Sequence, residues 1–587
     1  MPTSPQADRS PQADSSPQAD RSSQADQSRP LARPVAATRT ADKPPARRFI
    51  DRMASRLPAP LGLGIWATVL ITVASFGAGA IRSRGGVLRH LGLDFLAYGH
   101  GSGMATVVLW VGIFLLIGAW TSLGHEVLTS AYPATTSSPQ PQAASEASAG
   151  AAPANLTRRV YRCLVWWIVP LIGAAPLLSR DVYSYLMQGA MVRDGFDPYT
   201  QGAAINPGPM LLEVSHDWRN TTTPYGPLHL WLGQGITRIV GDNITVGVIL
   251  YKLVSIIGFA AIAWAIPRLA THLGGNPAVA LWLGVANPVM ILHLVGGMHN
   301  ESIMVGLVSV GLVAACRRHL LTAVALVAVA VSLKATAAIA LPFIVWMATN
   351  RWSHRTPDGA TPTLRRRIVC FLGAGALTTI LATVVVALVT WMSASSWGWL
   401  AEISGNSKII NPLALPSLLA GMATDFLLLF NPDWTFNVPL VILRRASMVA
   451  MLVGLVAVWW LARKSDRDAI RGVAAAYAVA FVFNSVTLPW YYASLISLVA
   501  VTALPRSWVQ WAAGLSVVIA LAFAGSGNHQ LYNAAWMAGA TLAAWACAAV
   551  MGAGAASSGR PTAEAAEASG PSKATEAAGA TAETAAQ

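Results

Sequence analysis

The sequence predicts an all-α, polytopic membrane protein, and three observations carry that prediction. Of 587 residues, 54% are hydrophobic and only 11% charged, against roughly 25% charged in soluble domains; the mean hydropathy is +0.50. Apolar runs recur along most of the chain, many of them near the roughly 20 residues that a membrane-crossing helix needs. Basic residues fall in short clusters between those runs. They read as topology signals rather than a nucleic-acid surface despite the net charge of +14, so membrane lipids are expected as partners and nucleic acid is not.

Residues 1–57 are expected to be a disordered tail. Within them "SPQAD" recurs three times between Ser4 and Asp20, and "SQAD" follows, with no apolar side chain larger than Ala. Such a stretch cannot bury enough surface to offset its chain entropy. The same holds for the Ala/Glu/Ser/Thr tail 553–587 and for a low-complexity linker at 132–156. The first apolar run begins near Leu61, too far in for a cleavable signal, and is expected to stay as an anchor. Residues 58–552 form the membrane domain, with candidate spans near 60–80, 102–123, 162–178, 243–267, 277–296, 302–316, 319–333, 335–349, 367–392, 437–462, 472–488, 492–505, 507–525 and 531–552. That makes 13 or 14 transmembrane segments.

Lys43, Arg47, Arg48, Arg52 and Arg56 precede the first run and place the N-terminus in the cytoplasm. Alternation puts Arg158, Arg159 and Arg162 on the same side, with Arg317 and Arg318, Arg351 to Arg367, and Arg463 to Arg471. The C-terminus is then cytoplasmic too. Arg82, Arg84 and Arg89, and Arg444 and Arg445, fall outside against the rule. The four cysteines, Cys163, Cys316, Cys370 and Cys547, lie in or at the ends of apolar stretches without metal spacing, so neither disulfides nor a metal site are expected.

The outer face collects nearly everything with chemistry: the long segment 179–242, "GGMHNES" at 296–302, Lys334, "SGNSKIINP" at 404–412, "LPWYY" at 488–492 and "SGNHQLYN" at 526–533. A transporter more often buries polar residues at the midplane of broken helices. Polar groups gathered at helix ends on one side suit an enzyme working at the membrane surface.

In segment 179–242, Ser179 can cap a helix whose Val182, Leu186, Met187, Ala190 and Met191 form one apolar stripe ending at Gly195. The pattern predicts a helix lying in the interface. Asp181 in its first turn suits the helix dipole; a carboxylate at the mouth of a span also marks a functional group. Tyr183, Arg193, Asp194 and Tyr199 are candidate substrate contacts, and Asp197-Pro198 organises a turn. His216 and Trp218 precede "TPYGP", whose prolines fix a turn around Tyr225; a positioned aromatic beside polar groups suits a sugar ring, or a headgroup belt. His299, Asn300 and Glu301 begin a span, as substrate hydrogen-bonding groups or as helix-capping ones. Lys334 divides an apolar run into two short halves, where an ammonium can meet a phosphate or snorkel to headgroups. Lys408 is a second phosphate candidate, and Trp490 and Tyr491 are further substrate contacts.

Taken together, "SRDVYSYLMQGAMVRDGFDPY", "TPYGPLHLWL", "GGMHNES", "SLKATAAIALP" and "LPWYY" resemble the actinobacterial polyprenol-phosphomannose-dependent α-1,6-mannosyltransferases of lipomannan synthesis, the MptA/MptB type, within the GT-C glycosyltransferases. The resemblance covers residues 160–500. It implies a GT-C fold with an extracytoplasmic active site in the plasma membrane. Asp181 would be the catalytic base, and Lys334 would meet the donor phosphate together with Arg180. It also implies transfer of mannose from polyprenyl-phosphate-mannose to a mannan acceptor of the phosphatidylinositol mannoside type, with no metal or other cofactor. Two features depart from the GT-C pattern: the loop follows the third span rather than the first, and Arg180-Asp181 stands where an Asp-Asp pair is usual. A GT-C enzyme using another lipid-linked sugar such as arabinofuranose, and a lipid-linked sugar flippase, share this layout.

Overall fold

A computed structural model describes residues 45–133, 146–354, 361–405 and 410–553. The described residues are helical almost throughout, with an isolated bridge between Phe523 and His529 as the one β-type pairing among them. Six helices are long and apolar enough to cross a membrane: Pro60–Ala78, Gly99–Ala131, Ile244–Leu273, Leu364–Met392, Asn437–Leu461 and Ala534–Gly552. A seventh crossing results if Met290–Gly296 and Glu301–Cys316, bent by 114° at the break between them, count as one span. Every expected apolar run coincides with a helix, but most of the remaining ones are shorter. The run 277–296 divides at Pro288, which cannot donate a helical hydrogen bond, into Pro277–Gly284 and a π-helical turn Met290–Gly296. One apolar helix, Leu415–Leu428, falls where no span was expected. Pro45–Ser55, within the expected tail, is helical, and the helix Glu146–Ile172 begins inside the expected linker, whose Ala-rich end favours helix.

The centre of the bundle is dry and close-packed. Trp120 and Trp282 stack with centroids 5.0 Å apart, and each indole N–H donates to the other's backbone carbonyl, at 3.2 and 3.0 Å. Helices Leu364–Met392 and Asn437–Leu461 lie at the periphery, with only 11% and 6% of their apolar windows buried by protein. Those faces suit contact with lipid tails.

The bundle has two chemically different ends. At one end the basic clusters converge: Arg351 pairs with Asp466 and donates to the carbonyl of Ala315, and Asn350 donates to the carbonyl of Arg463 at 3.0 Å. From this end the 14-residue helix Leu320–Leu333 runs to Lys334, and Glu301–Cys316, 16 residues long, runs the same way in reverse. The other end holds segment 179–242. Its two main helices, Asp181–Arg193 and Pro227–Val240, cross where Gly189 meets Gly233. The first is enclosed on nearly all sides: besides the expected stripe, Tyr183, Ser184 and Tyr185 are buried. It stops at Gly195, whose φ of 89° a glycine adopts without strain.

A Cβ added at Gly189 would lie 2.3 Å from the backbone of Gly233. Gly189→Ala is therefore expected to destabilise the fold by about 1–3 kcal/mol, the usual cost of overpacking. A lowered thermal-unfolding midpoint in detergent would register it; an unchanged midpoint would mean that the crossing is loose.

Candidate active site

Three chain segments meet at the end opposite the basic clusters. The first ends the stretch before Asp181, where Leu177 N–H donates to the carbonyl of Gly296 at 3.2 Å and Leu178 N–H to that of Gly525 at 2.9 Å. This seats "LLSRD" beside "GGMHN". The third is the break at Lys334: Gly226 N–H donates to the carbonyl of Leu333 at 3.0 Å, and a Cβ on Gly226 would lie 2.2 Å from the carbonyl oxygen of Ser332. The "TPYGP" turn thus packs directly on the segment carrying Lys334. Two of the four described non-glycine residues with positive φ, Leu178 at 60° and Met298 at 55°, stand immediately before the first two segments. Each such residue costs roughly 1–2 kcal/mol, and strain of this kind concentrates at functional sites.

The side chains that converge are Asp181, Tyr185, Tyr225, His229, His299, Asn300, Glu301, Lys334, Trp490 and Tyr491. The Lys334 ammonium contacts the Glu301 carboxylate and sits over the ring of Tyr491, 4.0 Å from its centroid, and 5.4 Å from that of Tyr225. Asp181 Oδ2 lies 3.4 Å from both His299 Nδ1 and the Tyr185 hydroxyl. The His299 contact has an ion-pair distance but lacks hydrogen-bond alignment. The Asp181 N–H donates to Ser179 Oγ at 3.1 Å. His299 stacks on Trp490 at 3.6 Å between centroids. Burial pushes the Asp181 carboxyl up, but His299, Ser179 and the charge of Lys334 outweigh it and hold the group below the usual carboxylate range. Burial, reinforced by the Lys334 charge, pushes His229 down to about 3, so its ring is neutral. Burial likewise raises Tyr185 and Tyr225 and keeps both phenols protonated.

Among the described residues, several buried polar atoms here have no hydrogen-bond partner: Asn300 Oδ1, Glu301 Oε2, His299 Nε2 and the Trp490 indole N–H. Buried polar groups are costly unless satisfied. These four can donate to or accept from the hydroxyls of a bound sugar, and the faces of Tyr225, Tyr491 and Trp490 are flat apolar surfaces for its ring.

Other expected site residues lie elsewhere. Arg180 is fully engaged: its guanidinium meets Glu213 at 3.0 Å and donates to the carbonyls of Glu213 and Ile81 at 2.9 and 2.8 Å. It locks the start of its helix to the 81–84 segment, whose Ser83 N–H also donates to Glu213 at 2.7 Å. Tyr183 points away, donating to the carbonyl of Ala80 at 2.7 Å. Arg193 pairs with Asp194 and Asp242 at an exposed corner, at 2.7 and 2.9 Å. Tyr199 packs among Leu230, Val386 and Trp399, His216 is exposed, and Trp218 is half-buried against the loop cluster. Lys408 lies outside the described residues. Sequence reasoning missed Tyr185 and His229. Tyr185 is four residues from Asp181 on one helical face, and His229 directly follows the "TPYGP" turn, so spacing could have found both.

Arg180 and Lys334 should therefore fail differently. Arg180→Gln is expected to lower stability by about 1–3 kcal/mol, since it leaves the buried Glu213 short of a charged donor, and to leave the KM for a phosphate-bearing donor little changed. Lys334→Gln is expected to lower kcat at least tenfold. Lys334→Gln also strips the buried Glu301 of its cation and is expected to lose stability as well, so steady-state kinetics separates the two: a kcat loss in Arg180→Gln with none in Lys334→Gln would overturn the assignment.

The chain is similar to known proteins over most of its length. The family model for the N-terminal domain of alpha-(1→6)-mannopyranosyltransferases matches residues 61–350, and that for the MptB C-terminal domain matches residues 416–553. The chain is 58% identical over 467 residues to alpha-(1→6)-mannopyranosyltransferase A of Corynebacterium glutamicum, covering 79% of this chain and 92% of that one. It is 36% identical over 475 residues to alpha-(1→6)-mannopyranosyltransferase A of Mycobacterium tuberculosis, covering 81% and 86%. To alpha-(1→6)-mannopyranosyltransferase B of C. glutamicum it is 26% identical, covering 73% and 70%. With both halves matched and Asp181, Glu301 and Lys334 all inside the first, the chain belongs to the alpha-(1→6)-mannopyranosyltransferase family.

Proposed function

We propose that this protein transfers mannose, forming an α-1,6 linkage, from polyprenyl-phosphate-mannose to a mannan acceptor on a glycolipid, at the extracytoplasmic face of the plasma membrane. The names of its relatives support the linkage and the sugar. The observation that carries the mechanism is the meeting of a carboxylate held ionised, Asp181, with a buried lysine, Lys334, among aromatic rings and unpartnered polar atoms.

The acceptor's 6-hydroxyl oxygen attacks the anomeric carbon of a β-mannosyl phosphate while its proton passes to Asp181. The bond from the anomeric carbon to the phosphate oxygen breaks with its electron pair, and polyprenyl phosphate leaves. Attack from the opposite side inverts the centre and yields the α linkage. Lys334 places positive charge where the leaving phosphate gains negative charge. Glu301 and Tyr491 hold that ammonium in place. Asn300, His299 and the second Glu301 oxygen are positioned for the sugar hydroxyls, and the protonated Tyr225 and Tyr185 can donate, accept or stack.

Membranes carrying the full-length chain, supplied with radiolabelled mannosyl and arabinosyl lipid phosphates, are expected to incorporate mannose only. Asp181→Asn should reduce incorporation by about 10²–10⁴-fold, the usual contribution of a positioned base. Arabinose incorporation, or mannose transfer that survives the substitution, would sink this reading.

Because Asp181 is held below the ordinary carboxylate range, it stays ionised as pH falls until that lowered value is passed. The acid limb of kcat/KM is therefore expected below about pH 4. An acid limb near pH 6 would assign the base to another group.

A further inference from the structure

A cavity of about 410 Å³ near this end shares no lining residue with the candidate active site. It is lined by Arg82, Arg89, Lys252, Asp94, Tyr183 and largely apolar residues of the neighbouring helices. Tyr183 and Asp181, two residues apart on one helix, point to opposite faces. The cavity therefore lies behind the catalytic face.

Its charge is out of balance. Lys252 is buried inside a membrane-crossing helix, and among the described residues its polar partner is a single carbonyl, that of Leu171 at 3.3 Å. Arg82 donates to Thr245 at 3.0 Å and lies 3.7 Å from Glu213, a carboxylate already shared with Arg180. Arg89 has no ion-pair partner among the described residues. Three cations against one carboxylate, Asp94, thus line a mostly apolar cavity, and a buried lysine without an anion is costly in a membrane. Arg82 and Arg89 belong to the cluster that defies the positive-inside pattern, which a role in anion binding explains. From the cavity wall at Ile249, the exposed residues Leu253 and Ile257 continue as a stripe down the helix Ile244–Leu273, wide open to lipid chains.

We propose that this cavity binds the phosphodiester headgroup of an anionic glycerophospholipid, with Lys252, Arg89 and Arg82 around the phosphate and the acyl chains along Ile249, Leu253 and Ile257. The occupant is not the donor. The donor phosphate is bonded to the anomeric carbon and must lie on the Asp181 face, so this exclusion rests on the proposed function. The lipid is bound but not consumed, and it braces the Arg82–Glu213–Arg180 tie behind the catalytic helix.

The test uses the full-length chain in detergent, titrated with phosphatidylglycerol, with phosphatidylethanolamine of the same chains and with decaprenyl phosphate, and followed by native mass spectrometry. Phosphatidylglycerol is expected to bind about tenfold or more tightly than phosphatidylethanolamine, given roughly a tenfold gain for each one or two basic contacts. The double variant Lys252→Met/Arg89→Gln should lose that preference. Val248→Trp, which fills the cavity and keeps every charge, should lose the bound lipid. Asp181→Asn should keep it, so failure of the transferase reading is scored separately. Unchanged lipid preference in the double variant, or retention in Val248→Trp, overturns the proposal. Displacement of phosphatidylglycerol by equimolar decaprenyl phosphate overturns it too, and reassigns the cavity to the prenyl lipid.

Discussion

A solvent that cannot hydrogen-bond surrounds most of this chain, and every charged group must therefore be paired, solvated or at a helix end. That constraint organises the molecule. It gathers Arg351, Arg463 and their neighbours at one end of the bundle and puts Asp181, Glu301 and Lys334 at the other. It also explains why Lys334 cannot stand alone. Glu301 neutralises it, and the rings of Tyr491 and Tyr225 add cation–π attraction in a setting where little water competes.

Helices alone would not bring these groups together, because they come from separate segments, with Asp181 and Lys334 more than 150 residues apart. The connections do so through backbone contacts. Leu177 N–H to the Gly296 carbonyl joins the Asp181 and Glu301 segments, and Gly226 N–H to the Leu333 carbonyl adds Lys334. Left-handed residues at Leu178 and Met298 turn the chain sharply enough for the next side chains to face one another. The strain is tolerated because both residues are fully buried and held by packing. Such a site is pre-organised rather than assembled by the substrate.

Much of this was legible in the sequence. Hydrophobic runs located the helices, and the interruptions of those runs marked the polar groups that the fold brings together: Asp181, "HNE", Lys334 and "WYY" were all recognisable as polar groups at helix ends. The pairing of Arg180 was not legible. Its partner Glu213 is 33 residues away at the end of the short helix Pro209–Glu213, and no local pattern reveals that contact. The same limit hid Lys252, whose importance depends on Arg82 and Arg89 folding back over it. Tyr199 and Arg193 looked like binding residues because they stand in a segment rich in charges and tyrosines within a charge-poor chain, yet the fold engages Tyr199 in packing and Arg193 in ion pairs.

The 14- and 16-residue helices that reach Lys334 and Glu301 rise only about 21 and 24 Å, whereas the hydrocarbon of an ordinary bilayer is about 30 Å thick. The helix Leu320–Leu333 is only partly covered by protein, so lipids beside it must compress to avoid exposing apolar surface. Thinning of that kind brings the headgroup layer closer to Lys334, and a polar ligand reaching it crosses less low-dielectric space than the bulk membrane would impose. Bilayer thickness then becomes a variable of access to the candidate site: thicker membranes lengthen the approach even when every residue of the site is unchanged.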